Sequence, residues 1–409
     1  MALRRFTTVA ALGAAQTLAW ASSYYLPAML AVPIARDLAV APSTVFAAFS
    51  VALIVSGALG PYAGRAIDRF GGRPILLASN LVFAAGLVAL GTVDNPAHLF
   101  LAWALIGVAM GSGLYEAAFA TVVRLHGQQA RSAITGITLI AGFASTVGWP
   151  VSAALESHFG WRGACMAWAG LHLLIGLPLN ACLPGLSRQV AAAPAASTEP
   201  ERAPLLSGAE ARRAAVLMAY VFAATWFIST AMAAHLPRVL QASGVSVALA
   251  VSFAALVGPA QVAGRVLEFS VLQRFHPLLS ARLAALAHPL GAMAIGLAGA
   301  PAAAVFAVLH GAGNGILTIA IGTLPLLLFG SAGYGRRQGL LMVPARLVQA
   351  AAPFLFGLSL DGWGVQCLWI SALLGLTAVG ALMWISVPGE VARRPLGEAS
   401  GFEKKRLSR

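Results

Sequence analysis

The sequence has few charged residues and almost no lysine. Only 10% of its 409 residues are charged, 13 of them acidic, and two of the 26 basic residues are lysines, Lys404 and Lys405. The chain contains no Walker-type phosphate loop, which excludes ATP as the direct energy source. Within the apolar segments it also has no His-Glu-x-x-His motif, no Gly-x-Ser-x-Gly motif and no acidic pair, so we do not expect an enzyme.

Cysteine is scarce as well. The three cysteines, Cys165, Cys182 and Cys367, lie in apolar runs and have no metal-ligand spacing. An odd number argues against a disulfide framework, and we interpret them as small packing residues. No Asn-x-Ser/Thr acceptor is present, which fits a bacterial inner membrane. We expect no metal site and no cofactor.

Apolar residues make up most of the chain. The hydrophobic fraction is 59% and the mean hydropathy is +0.83. A soluble domain cannot bury that much apolar surface, so the solvent must be lipid. The net charge of +13 raises the possibility of a nucleic-acid partner. The arginines, however, lie in short segments between apolar runs and form no stripe, so we expect the lipid bilayer and no nucleic acid.

Twelve segments have the length of about 20 apolar residues that a membrane-spanning helix needs. They are 6–32, 43–63, 75–93, 98–123, 133–155, 163–184, 213–236, 246–264, 277–298, 302–329, 338–359 and 366–388. The first is too long for a signal peptide, although Arg4 and Arg5 precede it. The pattern predicts an all-α membrane protein.

The basic residues predict how these segments are oriented. With the N-terminus inside, the inner loops and tails hold 22 of them and the outer loops three, Arg36, Arg162 and Arg238. This is a strong positive-inside signal, so we expect a multi-pass inner-membrane protein with both termini in the cytoplasm.

The chain also divides near its middle. Residues 185–212 are polar and rich in Ala and Pro, as expected of a flexible cytoplasmic linker. We predict a first six-helix bundle at 1–184, a second at 213–390 and a basic cytoplasmic tail at 391–409. Several pairs recur in the same order in both bundles, including Gly64-Arg65 with Gly264-Arg265 and Pro150 with Pro353, as a duplicated six-helix unit would leave them.

A charged, glycine-rich stretch joins the second and third segments. It has the pattern Gly-x-x-x-Asp-Arg-x-Gly-x-Arg over residues 64–73. This pattern closely resembles the loop motif of the major facilitator superfamily, and the resemblance implies twelve helices in two pseudo-symmetric bundles. It also implies that Asp68 caps a helix of the other bundle and pairs with arginines. The residues in this conformational role are Gly64, Arg65, Asp68, Arg69, Gly71, Gly72 and Arg73.

Two charges lie deep within the apolar segments. Glu116 and Arg346 are the one acid and the one base well inside a predicted span, at matching depths from the inner face. Charges inside a membrane are costly and usually functional, so we predict a proton-linked ion pair that closes an inner gate. The alternative is a local structural contact made by each residue separately.

Polar and aromatic residues on other spans are candidates for a substrate cavity. Gln16, Trp20 and Tyr24 are four residues apart and share one helix face, as do His310 and Asn314. Trp226 and Gln349 complete the predicted set; Gln349 lies one turn beyond Arg346. An aromatic belt, plain packing or, for His310, a proton relay are the alternatives.

These features predict a monomeric secondary active transporter that works by alternating access and is coupled to protons. Arg346 as the lone deep cation favours a small organic anion as the substrate, and Ser-Tyr-Tyr-Leu-Pro in the first span is reminiscent of a monocarboxylate branch. The alternative is a proton-driven efflux antiporter for drugs or toxic metabolites. A channel or a sensor is a third class, which saturating flux and counterflow would distinguish from a transporter.

Overall fold

The structure is a computed structural model that describes residues 2–185, 206 and 208–385. Within these residues every regular element is a helix. The α-helices are α1 Ala2–Ala21, α2 Leu26–Asp37, α3 Pro42–Phe70, α4 Gly72–Gly91, α5 Pro96–Gly113, α6 Tyr115–His126, α7 Arg131–Ala141, α8 Ala144–Leu171, α9 Leu177–Ala181, α10 Gly208–Ala242, α11 Val247–Ala255, α12 Val257–Ser270, α13 Pro277–Ala298, α14 Ala303–Phe329, α15 Tyr334–Trp363 and α16 Leu368–Met383.

Twelve membrane crossings follow from these helices. Nine helical stretches in the described part of the chain are long and apolar enough to span a bilayer. Three glycines with positive φ subdivide the two longest stretches: Gly127 and Gly160 divide residues 96–181, and Gly364 divides residues 334–383. The result confirms the predicted all-α membrane fold.

Two crossings are broken where the sequence predicts continuous helices. The first is interrupted at residues 22–25, between α1 and α2. The fourth is interrupted at Leu114, which has an extended backbone (φ −84°, ψ −165°) between α5 and α6. Each break leaves backbone groups without helical partners, and such groups recur in membrane proteins where irregular backbone faces an internal site.

Two other crossings extend beyond their apolar residues. Helix α3 continues to Phe70, so Gly64, Arg65, Asp68 and Arg69 lie on its last two turns and not in a loop. Only Gly71 forms the turn itself, with φ 83° and ψ 163°, a conformation that favours glycine. Helix α12 likewise continues to Ser270, although the predicted span stops at residue 264.

The buried side chains form three apolar clusters. The largest is built almost entirely from residues 12–183, with Leu326 and Tyr334 added from the other half of the chain. The other two draw on residues 206–385. Many large apolar side chains face outwards, including Leu174 at 77% and Leu297 at 78% exposure, as expected of a surface solvated by lipid.

Most of the predicted linker and the predicted basic tail lie outside the described residues. Helix α10 begins at Gly208, within the predicted linker segment 185–212. Cys165 and Cys367 are buried, as expected of small packing residues, whereas Cys182 is exposed, so that interpretation is wrong for Cys182; all three are free thiols.

His276 couples the stability of one turn to pH. Its Nδ1 accepts a hydrogen bond from the backbone N–H of Leu278 and so caps helix α13. Burial, together with the charges of Arg131 and Arg282, holds the His276 pKa below its usual 6.5. The unfolded chain therefore binds a proton here that the folded chain does not, and folding stability falls as the pH decreases below about 6.5.

Replacing His276 with Asn, which caps a helix without titrating, should remove this contribution. We expect the fall in the thermal midpoint of the purified protein between pH 7.5 and 5.5 to be smaller in H276N than in the wild type. The exposed H158N variant, whose imidazole contacts a backbone carbonyl and the Ser157 hydroxyl, serves as the control. An unchanged pH dependence in H276N would contradict the assignment.

Candidate functional site

A buried ion pair joins the two halves of the chain. Nη2 of Arg346 on α15 lies 2.7 Å from Oε1 of Glu116 on α6. The side chain of Arg346 is 2% exposed and that of Glu116 15% exposed. The two deep charges are therefore in direct contact, and each offsets part of the cost of burying the other.

The ion pair continues into a chain of hydrogen bonds. Nη1 of Arg346 donates to Oε1 of Gln349 at 2.9 Å, and Nε2 of Gln349 donates to the Tyr24 hydroxyl at 3.2 Å. Tyr24 in turn lies 3.3 Å from the Thr230 hydroxyl on α10. Tyr24 belongs to the break between α1 and α2, so this network connects the broken first crossing with α10 and α15.

The break in the fourth crossing positions Glu116. Because α6 starts at Tyr115, Glu116 lies in the first turn of a helix, where the free N–H groups stabilise a negative charge. On the other side of the break, Nε2 of Gln16 donates to the carbonyl oxygen of Gly113 at 2.6 Å. Gln16 is 1% exposed and therefore supports the break more directly than it lines a cavity.

Aromatic rings cover the guanidinium group. Arg346 lies over the ring of Trp226, 5.1 Å from its centroid, in a cation–π contact. Trp226 stacks on Trp20 with the rings parallel to within 3° and the centroids 6.1 Å apart. Trp20 also contacts Tyr24 and Tyr115. The predicted residues Trp20, Tyr24, Trp226 and Gln349 thus lie together around Arg346.

The structure contains a second group of buried charges that the sequence did not predict. Arg265 and Glu268 on α12 are 4% and 2% exposed. Oε1 of Glu268 accepts from Nη2 of Arg131 at 2.9 Å, whereas Nε and Nη1 of Arg265 have no hydrogen-bond partner. Arg265 lies against Gly142, where a Cβ would overlap Nη1. The prediction that Glu116 and Arg346 are the only deep charges is therefore wrong.

The reason for this error is local. The apolar run of the eighth crossing ends at Gly264, and the sequence therefore places Arg265 in a loop. Helix α12 nevertheless continues for more than a turn and carries both charges into the protein. The spacing Arg-x-x-Glu, which puts two opposite charges on one helix face, was the available signal.

Asp68 connects the halves at the end of the bundle that we call the basic end. This end carries the turns at 71, 127–130, 271–276 and 330–333. The Asp68 carboxylate accepts hydrogen bonds from the backbone N–H groups of Gly335 and Arg336, both at 2.9 Å, at the start of α15. An anion at a helix N-terminus is favoured by the unpaired N–H groups and by the helix dipole.

The neighbouring arginines do not pair with Asp68 in the described structure. Arg65 lies over the ring of Tyr62, Arg69 over that of Phe70, and Arg73 beside Gly185. Arg124 instead donates to the backbone carbonyl oxygen of Asp68. Arg131, besides its ion pair, donates to the carbonyl oxygens of Gln273 and Phe275 and thereby links α7 to the turn before α13.

Glycines bring α3 and α15 into backbone contact at the basic end. A Cβ at Gly64 would overlap the carbonyl group of Gly335, and a Cβ at Gly339 would lie 2.5–2.6 Å from Gly60 and Pro61. Gly72 at the start of α4 packs against the side chain of Thr121 on α6, which a Cβ would overlap. Gly64 and Gly72 therefore serve close approach, and of the three glycines in the predicted motif only Gly71 has positive φ. The ion pairs at the opposite end, Arg162 with Asp37 and Arg238 with Asp361, each stay within one half of the chain.

His310 and Asn314 lie apart from the Arg346 network. Nδ1 of His310 is 3.0 Å from Nδ1 of His288 on α13, and both residues line a small cavity together with Asn314. His172, on the π-helical turn His172–Gly176 that follows α8, contacts Ser22 and Asn80. Apart from Gln16, which supports the break at Leu114, the predicted cavity residues fall into two groups, one around Arg346 and one within the second half.

Known proteins now identify the family. The family model of the Major Facilitator Superfamily matches residues 12–306. The chain belongs to this superfamily, and it is a membrane transporter and not an enzyme.

Two curated relatives show how far sequence similarity extends. An uncharacterised 38 kDa protein encoded in the 23S RNA operon of Thermoproteus tenax is 29% identical over 296 residues, 72% of each chain. Monocarboxylate transporter 1 of Rattus norvegicus is 27% identical over 138 residues, which are 33% of this chain and 26% of the rat protein. The match to the rat transporter thus covers about a quarter of its length.

Solved structures show the same fold. The proton:xylose symporter XylE, bound to 6-bromo-6-deoxy-D-glucose, has a TM-score of 0.72 at 14% identity, over 94% of this chain and 97% of its own. The human organic anion transporter MFSD10 (TETRAN) has a TM-score of 0.65 at 17% identity, over 93% and 99%. At these identities the likeness concerns the fold alone.

The close contact at Gly64 allows a test of whether α3 and α15 keep the basic end closed. Gly64→Ala should force α3 and α15 apart, because its methyl group overlaps the Gly335 backbone. We expect increased labelling of a cysteine introduced at position 61 or 342 by a membrane-impermeant thiol reagent added on the basic side, in a background without the native cysteines. Gly170→Ala, at a helical position with no atom within 4 Å, is the matched control. Equal labelling in both variants would show that this contact does not keep the basic end closed.

Proposed function

We propose that this transporter carries small organic anions by alternating access and couples their movement to protons. The observation that carries the proposal is the buried Arg346 of the second half. It pairs with Glu116 of the first half, bonds to Gln349 on its own helix and lies over the ring of Trp226, which stacks on Trp20. A guanidinium group at the junction of two moving halves can bind an anion in one state and its own carboxylate in another.

A second cation supports an anionic substrate. Arg265 is 4% exposed, and two of its guanidinium nitrogens lack a partner. A buried cation without full hydrogen bonding is costly, and a substrate carboxylate would remove that cost by accepting two parallel N–H bonds. A site for lipophilic cations would need excess acid, whereas Glu116 and Glu268 are each already paired with an arginine.

Proton coupling follows from competition for Arg346. When a substrate carboxylate binds Arg346, the Glu116 carboxylate loses its cation in a poorly hydrated place, and taking up a proton relieves its charge. Conversely, protonation of Glu116 releases Arg346 to the substrate. Transport of the anion and binding of the proton are then linked without any covalent step.

We assign the two gates of the alternating-access cycle to the two ends of the bundle. The positive-inside pattern supports placing the basic end, with both termini, at the cytoplasmic face of the inner membrane. The Asp68, Arg131 and Glu116 contacts would then close the cytoplasmic side in this state. The protein would act as a monomer, because each proposed role is supplied within one chain. The similarity to a monocarboxylate transporter supports the same substrate class.

Binding by acids tests the anion site. We expect acetate, lactate, pyruvate or oxalate to raise the thermal midpoint of the wild-type protein. In R346A the affinity for the stabilising acid should fall about ten- to a hundredfold, because a charge-assisted hydrogen-bonded pair is lost. R265A should weaken binding as well, and the exposed R36A serves as the control. Stabilisation by tetraphenylphosphonium in place of acids would contradict the proposal and favour the efflux alternative.

Transport in liposomes tests the proton linkage. With the stabilising acid as substrate, E116Q should retain exchange of labelled for unlabelled acid but lose accumulation driven by a pH gradient, because Gln cannot take up a proton. Saturation and counterflow in the wild type would separate a transporter from a channel. Gradient-driven accumulation by E116Q at the wild-type level would remove Glu116 from the coupling step.

A further inference from the structure

A small cavity adjoins the ion pair of Glu116 and Arg346 and extends from it towards the basic end. Its volume is about 10 Å³, close to the least that holds one water molecule. Both charged residues line it, together with Ser56, Met342, Gly57, Gly60, Gly111 and Gly339. Gly60 lies about one turn nearer the basic end than Gly57 on α3, and Gly339 about two turns nearer than Arg346 on α15.

Ser56 on α3 is a buried residue of the cavity wall whose hydroxyl group has no hydrogen-bond partner among the described residues. It is 3% exposed. A serine hydroxyl in a helix often donates to the carbonyl oxygen four residues earlier, as Ser50 does to Phe46. A buried hydroxyl without a partner is costly, so Ser56 points to a further group in the cavity. Gly57 holds this turn of α3 beside Arg346, since a Cβ there would lie 2.8 Å from Cβ of Arg346.

The chemistry of the wall favours a neutral occupant. Oε1 of Glu116 accepts from Nη2 of Arg346, whereas no described residue donates to Oε2 of Glu116. The guanidinium group would repel a cation and the carboxylate would repel an anion. A neutral molecule that both donates and accepts hydrogen bonds fits all three polar groups. Water meets this requirement, and Glu116, Ser56 and Arg346 would give it the two to four polar partners that a buried water needs.

We propose that this cavity binds a water molecule through which Glu116 exchanges the transported proton with the basic side, and that Ser56 positions this water. The inference rests on the proposed proton coupling at Glu116 and adds the route of the proton. In the release step the O–H bond of protonated Glu116 breaks, the electron pair stays on the carboxylate, and the proton forms a new O–H bond on the water. The hydronium then gives a proton to solvent, and the carboxylate pairs with Arg346 again. Uptake is the reverse.

Backbone contact closes this route in the present structure. Beyond Gly60 and Gly339, helices α3 and α15 meet at Gly64, where a Cβ would overlap the carbonyl group of Gly335. Glycine backbone forms the contact from the cavity to this point, so separation of the two helices would open the cavity to solvent at the basic end. Their closure would leave the water beside the ion pair. Exchange of the proton with solvent is thereby confined to the state in which the basic end is open.

Two variants of the full-length protein test the route. Ser56→Ala removes the hydroxyl. Gly60→Ala adds a methyl group to the cavity wall, and its Cβ meets only the Gly339 backbone, at 3.7 and 3.9 Å, so the helices need not move. Gly258→Ala is the matched control, because Gly258 precedes a proline as Gly60 does and an added Cβ there has no atom within 4 Å.

The measured quantity in liposomes is the ratio of two initial rates, uptake of labelled lactate driven by a pH gradient and exchange of labelled for unlabelled lactate at equal pH. Acetate, pyruvate or oxalate replaces lactate where the wild type transports it faster. Driven uptake needs proton release in every cycle, whereas exchange proceeds with Glu116 still protonated. We expect the ratio to fall about three- to tenfold in S56A, the value of one neutral hydrogen bond, and at least as far in G60A. G258A should keep the wild-type ratio.

Two further readouts separate positioning from a structural role. The slowing of driven uptake in heavy water should be larger in S56A and G60A than in the wild type, because proton transfer then limits the rate. The final accumulation of the acid should stay at the wild-type level, since the rate changes and the coupling does not, whereas E116Q should lose accumulation.

A wild-type ratio in both S56A and G60A would show that the cavity takes no part in proton exchange. An equal loss of uptake and exchange would leave Ser56 a structural role only. Either result overturns the inference while the proposed function stands. If the wild type moves none of the four acids, or if E116Q accumulates them like the wild type, the proposed function fails and this inference fails with it.

Discussion

The cost of placing a charge in lipid shapes this molecule more than any other constraint. Among the described residues two buried carboxylates have arginine partners from different parts of the chain, since Glu116 meets Arg346 and Glu268 meets Arg131, whereas Arg265 has no carboxylate partner. Because each pair joins the first half to the second, the interactions that make buried charge tolerable also hold the halves together. Under the proposed alternating access, separation of the halves would require a proton or a cation for each carboxylate and an anion for each arginine.

Breaks in two membrane-spanning helices position the residues around the Glu116–Arg346 pair. The break at Leu114 places Glu116 at a helix start, and the break at residues 22–25 places Tyr24 within reach of Gln349. Irregular backbone in a membrane is stable only where other groups satisfy it, and Gln16 does so for Gly113. The site is thus assembled from positions at which the regular helix stops.

The sequence predicted the crossings and much of the surroundings of Arg346. The crossings can be recognised because a helix needs about 20 apolar residues to span the lipid. The uneven distribution of arginines between the loops predicts their orientation. The proximity of Glu116 and Arg346 could be predicted from their matching depth. Arg265 and Glu268 could not be found from hydropathy, because a helix need not end where its apolar run ends, and the His288–His310 contact joins two crossings whose rotation the sequence does not specify. There is no proline at Leu114 or at residues 22–25, so the sequence did not predict these two breaks either.

The contact between α3 and α15 is made largely by bare backbone, with Gly64 against Gly335 and Gly60 near Gly339. Interlocking side chains would have to change rotamers, and a sealed apolar surface would have to be wetted, each time such a joint separated. Two backbone surfaces without interlocking side chains can separate without such changes. Under the proposed alternating access, such a joint would be tight when shut and still separate quickly, and the two hydrogen bonds that Asp68 accepts would control how often it opens.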